Sequence, residues 1–502
     1  MRIPDPIENV LIFCESKPGL MLLGILLLSF ILRFPSLTEP AWYGDEGITF
    51  TQAQTIRNGL SMYKDVYDNK PPLSYSLAAL SFSVLGESQW SARFVLMLWA
   101  IATQITFFIL ARKLFGIKPA LIASLLFALA ISTPYLEGNI YNGEILMIMP
   151  VMLGILLGLR NKLWLAGIFF STGFLLKVPA LFEFIGFLAF LWIESKGLVT
   201  IELVKKYLWL LLGFIVMILL VSTPFVLNKT FDSYLNSAFL NNVGYTDTYN
   251  NFIIPNGLLV LKALPVAALV FGLKLVRQLK ELRGEVKLLL LWLALGLFGA
   301  LLSGRPYTHY LIQILPPFTL LVSLVLVGWL GKMRLDVVAF QERMTLTIAT
   351  IATVLVALCC FTTQSIGLDY YPNYIRYMTG SMDVESYQKS FDQKVTRNYI
   401  LAEFIKERTT ESDRILVLAN EPFVYFLSNR FPTTRYSTFY HLNLVQGAFE
   451  DTRNSLLKRE PKIVIRGTGN EFNDQSMNQS LANEYHLIGA FDDAQIYIRN
   501  MP

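Results

Sequence analysis

Three side chains between Glu39 and Leu73 have types and spacing suited to acid–base and phosphate chemistry: Asp45, Glu46 and Lys70, in EPAWYGDEGITFTQAQTIRNGLSMYKDVYDNKPPL. The two carboxylates follow Trp42, Tyr43 and Gly44, and Lys70 immediately precedes Pro71-Pro72. A following proline biases a residue to extended backbone, and the double proline stiffens what comes next. A base and a phosphate-sized cation are therefore held on one stretch, read as a polar loop of about thirty-five residues, a length that is uncommon without a function. Such a pair is suited to moving a sugar from a lipid phosphate onto a hydroxyl. The acceptor proton needs a base, worth roughly 10² to 10⁴ in rate. A phosphate leaves as a stable anion, so the step needs cations where a glycosidase needs a second carboxylic acid. Two plainer roles stand beside these: Asp45 as a helix N-cap, and Lys70 as a cation snorkelling at a membrane surface.

Further along the chain, Glu137, Asn142, Glu144, Lys177, Glu183, Lys262, Arg305, Tyr307, His309 and Tyr310 are hard to explain as solvated surface if they gather at one face of a membrane. Ionisable groups cost ~2.5 to 3.5 kcal/mol at a span centre and less near the interface, so they tend to face cavities. Arg305 offers a forked donor to a phosphate or to a lipid headgroup. His309 and Tyr310 are suited to orienting phosphate or acceptor, or to serving as a buried histidine and a belt aromatic. Glu144 with Asn142 is placed to position the acceptor or assist Asp45, as is Glu137, and the sequence does not rank them. Lys177 and Glu183 are close enough in sequence to pair across a tight turn. No His/Cys set has metal-ligand spacing, and the acids are scattered, so chemistry without a metal or cofactor is expected.

The 502 residues are 54% hydrophobic and only 16% charged, with a mean hydropathy of +0.48. Apolar runs of eighteen or more residues are long enough to cross a hydrocarbon layer of about 30 Å, so this is read as an integral membrane protein. The net charge of +5 is assigned to basic cytoplasmic loops. No basic cluster with interleaved aromatics indicates a nucleic-acid partner. Cys14, Cys359 and Cys360 give no disulfide framework. No small-residue cleavage site follows the first apolar run, so residues 19–37 are expected to be a retained span.

One threading satisfies the rule that basic residues accumulate on the cytoplasmic side. Residues 73–85 are too short to cross, and as a helix they suit the interface. Spans then follow at about 19–37, 88–111, 119–135, 143–159, 163–177, 178–194, 207–227, 257–273, 288–303, 311–330 and 345–363, about eleven in all. The N-terminus lies in the cytoplasm, and the loop 38–87 with its interfacial helices lies outside. Residues 1–363 form the membrane domain, and residues 364–502 a soluble extracytoplasmic α/β domain. In that tail, helical pattern is expected over 384–408, 422–427 and 444–458, and strands at 415–419, 462–466, 486–491 and 495–498. The tail is assigned to acceptor recognition or to a lid.

The sequence resembles the polyprenyl-phosphate-sugar-dependent glycosyltransferases of GT-C fold, in the group that holds protein O-mannosyltransferases and lipid A aminoarabinose transferases. The resemblance rests on WYGDEG (Trp42 to Gly47), NKPPL (Asn69 to Leu73), GNIYNGE (Gly138 to Glu144), GFLLKVP (Gly173 to Pro179) and GRPYTHYLIQILPP (Gly304 to Pro317), in that order. It implies an inverting transferase of the bacterial inner membrane, with a polyprenyl-phosphate-linked sugar as donor and a hydroxyl of lipid, glycan or protein as acceptor. It implies Asp45 as general base, Lys70 on the donor phosphate, Glu144 in the second acidic position and Tyr310 on the phosphate. Some relatives place an arginine in the loop corresponding to 228–256, which here has none. The second phosphate cation thus stays open between Arg305 and Lys262. The competing reading is a transporter of lipid-linked sugars without transfer chemistry. Paired repeats and broken spans with a site at mid-membrane would mark one, and neither is legible here.

Overall fold

The computed structural model describes residues 16–195, 199–242, 259–330, 340–361, 367, 369–467 and 475–500. Cys14 and residues 243–256 of the loop expected over 228–256 lie outside these residues. A helix occupies each segment expected to cross: Pro18–Arg33, Gln89–Phe115, Ile117–Ile131, Gly143–Gly158, Leu163–Leu176, Ala180–Glu194, Ile201–Leu227, Leu259–Leu275, Gly284–Ala300, Leu315–Leu330 and Phe340–Cys360. Five stretches, Pro18–Thr38, Gln89–Phe115, Ile201–Leu227, Thr308–Gly328 and Glu342–Cys360, are long and apolar enough to cross a membrane by length and composition. Several of the others are apolar but shorter. The protein is an integral membrane protein.

By packing, the chain falls into two compact units. One comprises Met1–Ser36, Arg93–Val221 and Thr246–Gly367, the other Leu37–Ala92, Ser222–Tyr245 and Leu368–Pro502. The first is the helical membrane unit. Its first helix ends in Arg33, buried to 1% exposure, whose guanidinium donates to the carbonyls of Gly138 at 2.7 Å and Ile131 at 3.4 Å. Arg33 thereby holds the turn that carries Glu137, a residue in the left-handed region at φ 55°.

The second unit joins the stretch around Asp45 and Lys70 to the C-terminal sequence. Its sheet has the order β1-β2-β4-β3, with β1 (Ile415–Leu418), β2 (Ile463–Gly467), β3 (Tyr485–Phe491) and β4 (Ala494–Arg499). β1 and β2 run parallel, and β4 is antiparallel to both β2 and β3. β1 is buried on both faces, which is why its sequence is an unbroken apolar run rather than an alternation. Leu416 and Leu418 pack with Tyr436, Phe439, Leu456 and Val464. Ile415 and Val417 pack with Leu401, Ile405 and Tyr425. Tyr67, five residues before Pro72 in the chain, enters the first of these cores, and its backbone N–H donates to the Arg435 carbonyl at 2.6 Å. The helix expected over 384–408 is divided into Val384–Lys389 and Val395–Arg408, and helices Tyr370–Met378, Phe439–Leu444 and Gln475–Glu484 add to those expected.

One expectation is corrected. The stretch from Glu39 to Leu73 is not loop throughout, because Gly44–Arg57 is a helix with Asp45 and Glu46 in its first turn. Acids there meet the positive end of the helix dipole. Tyr43, not Asp45, occupies the cap position. The helix has no apolar stripe of the usual kind, since polar Thr49, Thr51, Gln52, Gln54 and Thr55 are all buried. Four of these side chains have their donors met internally: Thr51 and Thr55 hydroxyls donate one turn back, to Gly47 and Thr51 carbonyls, and Gln52 and Gln54 amides donate to the carbonyls of Val66 and Phe426. Gly47 sits where a Cβ would come within 2.9 Å of the Phe423 backbone nitrogen and 3.0 Å of Pro422. A glycine is what lets this helix approach that closely.

Candidate active site

The residues singled out from the sequence fall into two clusters, one in each unit.

In the second unit, Lys70 Nζ lies 3.3 Å from Asp45 Oδ1 and 3.3 Å from Asp68 Oδ2. Lys70 is placed by its backbone as much as by its charge: Tyr63 donates to its carbonyl at 2.8 Å, and Pro71-Pro72 lead straight into the helix Leu73–Leu85. Tyr63 is itself packed against Tyr75, Phe225 and Tyr234, the last two stacked with ring centroids 4.3 Å apart. Asn242 secures the residue before Lys70, its amide donating to the Asn69 carbonyl at 2.8 Å.

Asp68 is fully buried. Tyr75 Oη donates to its Oδ2 at 2.6 Å, the Asn69 N–H donates to its Oδ1 at 2.7 Å, and His441 Nε2 faces Oδ1 at 3.5 Å. Burial pushes the Asp68 carboxyl up, but Lys70, His441 and Tyr75 together hold it well below the usual carboxylate range. Burial likewise works against the Lys70 ammonium, and Asp45 and Asp68 outweigh it, raising the group above the ordinary lysine range. The site thus holds a permanent cation between two carboxylates, of which Asp45 alone is open to solvent, with its side chain 36% exposed. Glu46 is completely buried. The WYGD turn is fixed from behind, where Trp42 Nε1 donates to Glu39 at 3.1 Å, Tyr370 hydrogen-bonds Glu39, and the Ala41 N–H donates to Tyr399 Oη at 3.1 Å.

In the first unit, Glu144 Oε1 pairs with Lys177 Nζ at 2.8 Å. His309 Nδ1 lies 2.7 Å from Glu137 Oε2, and its Nε2 lies 4.0 Å from Glu144 Oε1. The Lys177 ammonium sits 5.8 Å over the Tyr310 ring, and His309 meets Tyr310 edge-on at 4.7 Å. Glu144 opens the helix Gly143–Gly158, and Gly143 leaves room for Lys177, whose Cδ would be 2.9 Å from a Cβ there. Asn142 is buried before that helix with no side-chain capping bond. Arg305 is buried with its guanidinium 6.0 Å from the Tyr307 ring. The Lys177–Glu183 pair suggested by the sequence is not formed. Lys177 turns to Glu144, while Glu183, four residues beyond the Val178-Pro179 break and on the next helix, faces Trp292 and Gln313. Lys262 lies on the helix Leu259–Leu275, and its side chain falls outside the described residues.

Asp68, Tyr75 and His441 were not singled out from the sequence. Asp68 had a signal: it stands two residues before Lys70 in DNKPP, and in extended chain residues two apart share a side. His441 had none beyond the rarity of histidine, three in the chain, two of which sit against buried carboxylates. Among the described residues no three His, Cys, Asp or Glu side chains come together in a way that could hold a metal ion.

Residues 69–223 match the family model described as dolichyl-phosphate-mannose-protein mannosyltransferase. An uncharacterized protein of Aquifex aeolicus strain VF5 is 26% identical over 257 residues, 51% of this chain. That match spans 60% of the relative's own length. Among solved structures, ArnT from Cupriavidus metallidurans bound to undecaprenyl phosphate superimposes with a TM-score of 0.53 at 13% identity, covering 96% of this chain and 98% of that one. Its apo state gives 0.55 at 12% identity over the same shares, 96% and 98%. The chain has the GT-C fold, the fold of the polyprenyl-phosphate-sugar-dependent membrane glycosyltransferases.

Proposed function

We propose that this protein is an inverting glycosyltransferase that moves a sugar from a polyprenyl-phosphate donor to a hydroxyl outside the cytoplasm. The observation that carries the reading is the Lys70 ammonium shared between Asp45 and Asp68 at 3.3 Å each, with Asp45 partly open to solvent. A phosphate arriving at Lys70 takes over the cation's outer side, and Asp45 is released as a base. Asp45 then removes the acceptor O–H proton, and the acceptor oxygen bonds to the anomeric carbon on the face opposite the phosphate. The bond from that carbon to the phosphate oxygen breaks, and the lipid phosphate leaves as an anion neutralised by Lys70. The match over residues 69–223 and the fold of ArnT support a lipid-phosphate donor. Arg305 and Tyr310 are the candidates for further phosphate contacts, and Glu144, Asn142 and His309 for the acceptor side. Basic loops on one side of the threading support a site and a C-terminal domain outside the bacterial inner membrane.

The test is transfer in proteoliposomes from a polyprenyl-phosphate sugar to envelope acceptors, read by mass spectrometry of the products. Asp45→Asn is expected to lower transfer by roughly 10² to 10⁴ while the variant still binds undecaprenyl phosphate. An active Asp45→Asn variant removes the base from the reading. Wild-type protein that only translocates the lipid-linked sugar replaces the transferase by a transporter.

A further inference from the structure

We propose that His441, supplied by the C-terminal sequence, is a positioning residue that holds Asp68 in place and through it sets the Lys70 ammonium. The inference deepens the reading above and rests on it for the identity of the phosphate ligand. His441 is 1% exposed and sits on the short helix Phe439–Leu444, whose cap Thr438 accepts a hydrogen bond from the His441 N–H. Its ring meets Tyr67 edge-on, with centroids 5.0 Å apart, so packing fixes the imidazole plane. Nε2 faces Asp68 Oδ1 at 3.5 Å, and Nδ1 is buried with no hydrogen-bond partner among the described residues. A buried imidazole making one polar contact, to a carboxylate that itself touches the phosphate-binding cation, is poorly explained as core filler. Apolar packing would spare the chain an unmet nitrogen.

The geometry gives each Asp68 oxygen its own task. Oδ2 faces Lys70 and Tyr75, while Oδ1 is held by the Asn69 N–H and His441. With the ring in place, the buried carboxylate is held in one orientation, and its pull on Lys70 acts at low dielectric. Remove the imidazole, and a space opens next to Oδ1 into which the carboxylate can turn and water can enter. Lys70 then loses its inner anchor although nothing that touches it has been replaced. The C-terminal domain thereby becomes part of donor binding, through one side chain that meets neither substrate.

Two variants separate positioning from packing. The Gln amide nitrogen falls near the position of His Nε2, whereas that of Asn falls near Nδ1, so His441→Gln restores a donor to Asp68 and His441→Asn does not. The first readout needs no sugar donor: the rate at which an amine-acylating reagent modifies Lys70 in the full-length protein, mapped by peptide mass spectrometry. One unit of lowering in an amine's pKa speeds such labelling about tenfold. Labelling is expected to rise by about that factor in His441→Ala and His441→Asn and to stay near wild type in His441→Gln. The second readout is undecaprenyl phosphate binding, expected to weaken by about tenfold in the same two variants, the worth of one hydrogen bond to a charged group. Unchanged Lys70 labelling in His441→Ala, or equal behaviour of the Gln and Asn variants, overturns the inference. Faster Lys70 labelling in His441→Asn than in His441→Gln, in a protein whose Lys70→Met variant binds undecaprenyl phosphate like wild type, upholds the positioning role and instead removes Lys70 from the proposed donor site.

Discussion

Lys70 and Lys177 each face a carboxylate, the first 3.3 Å from Asp45 and the second 2.8 Å from Glu144, yet the two pairs differ in their exposure. The Asp45 side chain is 36% exposed, whereas that of Glu144 is 3% exposed and has His309, itself tied to Glu137, as a further neighbour. A pair with one open member can exchange that member for a substrate at little cost. A pair whose carboxylate is closed off from water has already lost that group's hydration, so the carboxylate is committed to its cation. The second unit thus carries the exchangeable pair suited to chemistry. The first carries a largely buried cluster in which Glu144 meets Lys177 and His309, and His309 meets Glu137.

The sharpest way to break that contrast is to remove one partner from each pair and measure stability apart from activity. Lys177→Met leaves Glu144 buried without its lysine, and is expected to cost ~3 to 5 kcal/mol in chemical denaturation of the purified protein. Asp45→Asn removes a partly exposed charge and is expected to stay within ~1 kcal/mol of wild type despite its loss of transfer. Equal destabilisation by the two would mean that the two pairs do not differ in commitment.

Glycine provides a smaller test of the same contrast. Gly47→Ala drives a methyl to 2.9 Å from the Phe423 backbone nitrogen, which has no rotamer to yield. Overpacking of that kind costs ~1 to 3 kcal/mol. At Gly143 the first atom met is the Lys177 Cδ at 2.9 Å, a flexible stem, with the Leu176 carbonyl next at 3.0 Å. Gly47→Ala is therefore expected to lower the denaturation midpoint, and Gly143→Ala to shift the Lys177–Glu144 pair with a smaller loss. A larger loss at Gly143 would show that the lysine stem has no slack.

What the sequence disclosed followed from how local each signal was. Apolar runs placed a helix at every expected segment, because the cost of unmet backbone in hydrocarbon leaves little choice. The Asp45–Lys70 pairing was legible, since a double proline and an acidic turn lie within one stretch. The helix Gly44–Arg57 was not, because its buried face is made of Thr and Gln whose partners, such as Val66 and Phe426, come from elsewhere in the fold. Sequence proximity pairs Lys177 with Glu183, whereas the turn at Val178-Pro179 and the gap at Gly143 pair it with Glu144. His441 was invisible for the strongest form of this reason: 373 residues separate it from Asp68, and nothing in HLNL marks a polar role.

The smallest expected effect concerns pH and isolates the inner carboxylate from the outer one. Asp68 is held below the ordinary carboxylate range in the folded protein, so its contribution to stability is fully present above its unfolded value of about 3.9. That contribution fades as the pH falls from there toward the lower folded value. Lys70 is raised, so its contribution is complete below about 10.4 and fades as the pH climbs above it. Between these limits the pair contributes a constant amount. The stability difference between wild type and Asp68→Asn, measured by denaturation across pH, is expected to be flat from about 5 to 9 and to shrink below about 4. An Asp45→Asn protein should keep that acid limb, because the buried anchor of Lys70 is intact in it. If the acid limb instead follows Asp45, the ammonium is held from the solvent side, and Asp45 is too committed a partner to be released as a base.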